Sequence, residues 1–430
     1  MSATDLKPLP VRCGLERYKE QVKGLIKEYR ARNLKAMRVI RQHHPRLPGR
    51  ANTNDRNGVT EEDIRKAKVT LADAESVVAR WHGFESWSKL AKHIEALSRK
   101  ESRVLQFELA VEAIITGEIA TLKSLLRENP KLIEARSTRG HHATLLHYVG
   151  ANGVEDYRQK TPKNAVKVAE VLLKAGAEVD ADLDYGAAGR KLYPERIGST
   201  TLGMVATSVH PAVAGVQIGL LEKLLEAGAT VNGLPGGWNP LIAALHNGRG
   251  DAAEFLANRG ARLDLEGAVG TGRLDVVKGF FKKDGKLKAN ATTKQMEAGF
   301  EWACEYGRTS VVAFLLQKGI GVSASPHGET GLHWAAYGGH SDIVKLLLKQ
   351  KAPVDIKDTT YGATPLGWGL HGWCYPPPEA KGARYHEVIA LLVRAGAKVD
   401  PEGNLNRFQL EKLRGDSRMR ALLESEKLRK

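Results

Sequence analysis

Residues 330–352 read TGLHWAAYGGHSDIVKLLLKQKA, and this stretch decides the fold. Leu332, Ala335 and Ala336 fall at helical spacing, Gly338 and Gly339 stop that first helix, and Ile343, Val344, Leu346, Leu347 and Leu348 give a second helix its apolar face. Val354 then starts an extended turn. Helices this short are not stable alone and cannot bury both faces within one pair. They must stack on copies of themselves, and the alanines let neighbours approach closely.

The copies are present. The end of the second helix recurs as LLKAGAEVD (172–180), LLEAGATVN (224–232), LANRGARLD (256–264), LLQKGIGVS (315–323), LLKQKAPVD (347–355) and LVRAGAKVD (392–400). Second helices are expected to end near 128, 174, 226, 259, 283, 318, 350 and 394, which makes eight units.

The 330–352 unit resembles the ankyrin repeat. The family pattern is met by Gly328, Thr330, Leu332, His333, Ala335, Ala336, Gly339, His340, Ile343, Val344, Leu347, Leu348 and Ala352; Gly331 stands where the family has proline and Lys351 where it has glycine. The resemblance covers about 107–403. It implies a mainly α fold: an ankyrin-repeat α-solenoid of about eight helix pairs with short β-hairpin fingers, preceded by a small helical domain. The domains expected are a basic helical module at 1–100, the array at 101–403 and a C-terminal helical cap at 404–430.

The array is irregular. EDYRQKTPKNA (155–165) and WCYPPPEAKGAR (373–384) are insertions between paired helices, and the Pro376–Pro377–Pro378 run is expected to be stiff and extended. One finger is lengthened by DYGAAGRKLYPERIG (184–198). At Arg262–Leu263–Asp264 the chain runs almost at once into the next helices, so a finger is missing and the groove is expected to be interrupted there.

Charge divides the chain unevenly. The formal net charge is +16, and residues 1–100 hold 22 basic and 12 acidic residues of it. An anionic partner would therefore be sought at the front. Leu15, Tyr18, Val22, Leu25, Ile26 and Tyr29 share a helix face, Met37 and Ile40 mark a second helix, 44–60 is a polar linker, and Glu61–Leu97 reads as helical with a break at Gly83 and a cap at Ser86. LADAESVVARWHGFESWSKLAKHIEAL (71–97) looks like a module found ahead of bacterial ankyrin arrays. It also has the outline of a helix-turn-helix, which would present Lys89, Lys92 and His93 to a nucleic-acid groove. The other reading is a helical cap that closes the stack, with Trp81, Phe84 and Trp87 as its core and Leu105, Leu109 and Ile119 beneath it.

Enzymatic motifs are missing. His43–His44, His141–His142 with His147, and His333 with His340 lack the spacing and carboxylates of a metal site, and His333 and His340 are turn positions of the repeat. Gly267, Gly270 and Gly272 do not follow a strand, so they are no nucleotide fingerprint. Neither a cofactor nor a metal is expected. Three cysteines, Cys13, Cys304 and Cys374, cannot build a disulfide framework, and Cys304 is expected to be buried and inert. No run approaches eighteen apolar residues and Met1 to Cys13 lacks a signal-peptide core, so the expected address is cytoplasmic, without a membrane partner.

What remains is surface. The resemblance implies that partners are held by finger tips and by the variable positions after the paired alanines. The candidate partner-binding residues are Trp238, His246, Asn247, Tyr306, His327, Glu329, Tyr337, Tyr361 and His371, and Tyr306, His327, Tyr337, Tyr361 and His371 are expected to form one patch. Trp302, Trp334 and Trp368 hold the same position in three units and are read as packing between units. The expected function is a monomeric, non-enzymatic protein–protein scaffold; the alternative is a nucleic-acid-associated regulator that uses the basic front, with the array as partner sensor.

Overall fold

The structure is a computed structural model and describes residues 6–9, 14–44, 64, 67–183, 199–380, 382–398 and 407–424. Cys13, most of the 44–60 linker, the 184–198 insertion and parts of the 404–430 segment lie outside the described residues. The chain divides into two compact units, Met1–Asn239 and Pro240–Lys430.

The first unit begins with helices Leu15–Arg30, Leu34–His43, Leu71–Trp81 and Trp87–Leu97. They close around Tyr18, Val22, Ile40, Val77, Val78, Phe84, Leu90 and Ile94. The stretch read as helical from Glu61 is broken before Thr70: Ile64 is helical, 67–70 are not, 61–63 and 65–66 lie outside the described residues, and Thr70 and Asp73 form a capping box that starts the third of these helices at Leu71. Trp81 and Trp87 are only partly buried at the rim of this core, not at its centre. The amphipathic indole of Trp81 instead carries the Lys7 ammonium over its face at 4.5 Å.

The pair Arg103–Thr116 and Ile119–Glu128 follows, then Ala165–Lys174, Thr201–Thr207, Val209–Val213 and Gln217–Glu226. The first helix of the second pair is reduced to a 3-10 turn, Leu146–Gly150, which ends at Ala151 in left-handed backbone, φ 45°. Glycine at 150 suits this shortened turn, because a side chain there would meet Met204 at 2.8 Å.

The second unit is a regular stack. Its first helices are Pro240–His246, Leu265–Gly270, Thr293–Glu305, Gly331–Gly338 and Pro365–Cys374, and its second helices are Gly250–Asn258, Leu274–Gly279, Thr309–Gln317, Ser341–Lys349 and Tyr385–Arg394. First helices pack on first helices and, from Leu274–Gly279 onward, second helices on second helices. Val269, Ala303, Ala335, Ala336, Ile343, Val344, Leu347 and Ile389 are fully buried between them. Helices Arg407–Gly415 and Ser417–Glu424 finish the unit, with Met419 and Leu423 inserted into the same core.

Among the described residues this makes eight helix pairs in sequence order, the first helix of one being the 3-10 turn, in the mainly helical repeat fold that the 330–352 stretch predicts. The fingers are slighter than hairpins. Among the described residues the β-pairing consists of three isolated antiparallel bridges, Arg136 with Thr144, Asp182 with Thr200 and Phe281 with Leu287. No helix among the described residues is long and apolar enough to cross a membrane.

Candidate functional site

The site grows from the repeat framework. In the 330–352 unit Thr330 caps the first helix, and its N–H donates to Nδ1 of His333 at 3.0 Å while Nε2 of the same ring meets the Ala363 carbonyl at 3.2 Å. His147 makes the same two links, to Thr144 and to the Ala181 carbonyl. These histidines tie each turn to the next finger, and burial holds both below the usual histidine range. The residue after this framework position points along the stack, and there Trp302, Trp334 and Trp368 come together. Trp302 and Trp334 have ring centroids 5.9 Å apart, and Trp334 and Trp368 meet edge to face at 4.9 Å.

Rings from helix ends and fingers extend this ladder both ways. Tyr337 lies 5.9 Å from Trp368 and stacks on His371 at 6.2 Å, and His371 contacts Tyr375 at 5.1 Å. Tyr361, from a finger, meets Trp368 at 6.2 Å and is 78% exposed. At the other end His327 stacks on Trp302 at 5.3 Å, and His246 lies 4.9 Å from Trp302 and 5.5 Å from His327. The short unit at 265–279 therefore does not interrupt the surface. Gly267 holds the tryptophan position there, with no side chain to separate His246 from Trp302.

Of the expected patch, His327, Tyr337, Tyr361 and His371 are brought onto this one ladder, joined through the tryptophans, and His246 joins it. Tyr306 turns away and donates its hydroxyl to the Leu245 carbonyl at 2.6 Å. Asn247 bonds back to the Ala243 carbonyl at 2.8 Å. Glu329 is buried and accepts from the Thr360 hydroxyl at 2.9 Å. Trp238 belongs to the first unit and is 48% exposed.

The carboxylates beneath the rings were not among the expected residues. Glu266 accepts from His246 Nε2 at 2.7 Å and from the Trp302 indole at 3.0 Å. Burial opposes its charge, yet these two hydrogen bonds outweigh burial and hold Glu266 below the usual carboxylate range. Glu301 is fully buried; one oxygen accepts from His327 Nδ1 at 2.6 Å and the other, Oε1, is buried without a partner. Burial pushes Glu301 up, and the bond to Glu301 raises His327. Asp358 accepts from the Trp368 indole at 3.0 Å and from the Ala363 N–H at 2.9 Å. Glu266 and Glu301 occupy the framework position that His333 fills in its own unit. That substitution is visible in the sequence and was the signal that could have found them.

The Pro-rich insertion contributes a second group. Glu379 Oε2 accepts from the Asp251 N–H at 3.0 Å, beside the buried Arg249 and Glu305. Burial pushes Glu305 up to about 8 and Glu379 up to about 7. Gly250 fits this packing because a side chain there would strike the Tyr306 ring at 2.7 Å.

The first unit buries a different set. Arg139, Arg158, Glu108 and Glu155 are all nearly inaccessible, and Arg158 Nη1 meets Glu108 at 2.7 Å. Arg139 also donates to the His82 carbonyl at 3.0 Å, and Gly140 N–H to the Gly83 carbonyl at 3.0 Å. These bonds join the basic front to the first finger. His93, offered for a nucleic-acid groove, is instead 2% exposed, packed on Phe84 and bonded to the Thr138 hydroxyl at 2.6 Å. Leu109 remains 40% exposed and Leu105 packs on the core of the front.

Two overlapping stretches, 265–360 and 300–402, match the family model for ankyrin repeats in three copies. No curated protein matches the chain. Among solved structures, the human ASB11 ankyrin repeat domain is similar at 18% identity and a TM-score of 0.33, over 68% of this chain and 99% of that one.

Proposed function

Because this chain is an ankyrin-repeat protein, we propose that it is a non-catalytic scaffold that holds a protein partner on the ladder surface of its second unit. Repeats of this family are protein–protein interaction modules. The observation that supports this reading is the unbroken run of ring contacts from His246 to Tyr375, with the exposed Tyr361 set against Trp368. Rigid aromatic side chains bind at low conformational cost and dominate interface energy. A monomer in a reducing, cytoplasmic compartment belongs to the same reading, supported by buried free Cys304 and Cys374; burial holds the Cys304 thiol well above its usual range.

The test is affinity capture with the full chain and with a Tyr337→Ala/Tyr361→Ala double variant, followed by titration of the captured protein. The double variant should lose on the order of 2 kcal/mol or more of binding with an unchanged circular dichroism spectrum. A partner held equally well by both forms places the binding surface elsewhere.

A further inference from the structure

The ladder stands in a protein that has an excess of positive charge. The chain holds 65 Lys and Arg against 49 Asp and Glu. Elsewhere these cations lie over aromatic faces: Arg139 over Phe84 at 5.2 Å, Arg259 over Phe255 at 4.9 Å, Lys318 over Phe314 at 5.4 Å and Lys412 over Trp373 at 4.7 Å. Among the described residues no Lys or Arg lies over Trp302, Trp334, Trp368, Tyr337 or Tyr361.

Carboxylates stand at the edges of two of those rings. Trp302 donates to Glu266 and Trp368 to Asp358, each at 3.0 Å. An indole N–H bonded to a carboxylate draws negative charge toward the ring, and this strengthens the attraction of its face for a cation. Glu301 adds an oxygen that is fully buried and unpartnered, a hydrogen-bond acceptor in a site of low dielectric. An acidic segment would be repelled here, and a purely apolar one would desolvate the carboxylates without compensating them.

We propose that the ladder seats an arginine or lysine side chain of a basic peptide segment of the partner, its cation over the faces of Trp334, Trp368 and Tyr361 and within the field of Glu301, Glu329 and Asp358. This rests on the partner-binding reading of the same surface and adds its chemical selectivity.

A random library of short peptides displayed against the full chain tests both levels. Peptides are kept whose binding is lost on the Tyr337→Ala/Tyr361→Ala double variant, and these should be enriched in Arg and Lys. Replacing the enriched arginine by citrulline, or the lysine by norleucine, should weaken binding about tenfold or more. Tyr361→Leu should weaken the same peptides by a similar factor, while Tyr361→Phe, which keeps the ring, restores binding to within about twofold. Matching melting curves show that these variants are folded. Surface-dependent peptides without Arg or Lys, tolerance of citrulline or norleucine, or equal binding by the Leu and Phe variants overturns the cation site and leaves the surface standing. Peptides that all ignore the double variant overturn the surface and the cation site together.

Discussion

Arg139 and Glu155 form an ion pair in which neither side chain keeps any exposure to solvent. Arg158 and Glu108 complete the group, and Glu155 comes from the 155–165 insertion. Buried pairs of this kind add little net stability when whole, but removing one partner strands a charge in a low dielectric. Arg139→Ala should therefore destabilise the first unit by about 3–5 kcal/mol in urea unfolding. Hydrogen exchange should show the loss extending into 71–97, because the same guanidinium holds the His82 carbonyl. Unchanged protection there would mean that the front is held by its apolar contacts alone.

The buried Glu305 and Glu379 set a pH dependence for the second unit. Their folded values, about 8 and about 7, lie above the ordinary 4.5, so the folded state holds more protons than the unfolded chain over that interval. Their contribution is complete below about pH 4.5 and is lost as pH rises through 7 and 8. The unit should melt at a higher temperature at pH 6 than at pH 9, by a free energy on the order of a few kcal/mol. The Glu305→Gln/Glu379→Gln pair should flatten that slope; a slope that persists in the double variant assigns it to other groups.

Trp302 and Trp334 share a ladder position but differ at their indole nitrogens. Trp302 donates to Glu266, whereas the Trp334 nitrogen is buried without a partner. Trp334→Phe should cost less than about 1 kcal/mol, while Trp302→Phe leaves Glu266 short of a donor and should cost about 1–3 kcal/mol. Trp334→Ala, which opens the space between Trp302 and Trp368, should cost about 3 kcal/mol or more. Thermal or urea unfolding ranks the three, and equal costs for the two Phe variants contradict the geometry.

Lys351 adopts left-handed backbone, φ 61°, at the helix end where Gly176, Gly228, Gly260, Gly319 and Gly396 serve the other repeats. A side chain there is strained and exposed, so Lys351→Gly should stabilise the second unit by up to about 1 kcal/mol. A drop in melting temperature would show that the lysine stem contributes more than its strain costs.

The helix pairs were legible because each is encoded locally: leucines and alanines at helical spacing, with a glycine at the stop, suffice to read Gly331–Gly338 and Ser341–Lys349. The tryptophan ladder was legible too, since equal repeat position implies spatial adjacency. The polar undersides were not. Nothing local to Glu379 announces that it reaches Asp251, and whether Glu266 or Glu301 finds a donor depends on the ring one repeat along. Gly267 was read as part of a shortened unit, but the contact of His246 with Trp302 across it is a property of the stack. At the front, the break before the Thr70 cap was missed because the apolar pattern runs through it.

An array held together only by adjacent repeats would, under a pulling force, peel from its end one repeat at a time. Two bonds of the second unit change that. Tyr306 grips the Leu245 carbonyl from two repeats away, and Glu379, in the last repeat, holds the start of the helix that follows Arg249. Tension applied at the C-terminal end is carried through these crosslinks to the beginning of the unit. The repeats between them must then give way together, in one large step at a higher load, so the unit acts as a clasped block rather than a zipper.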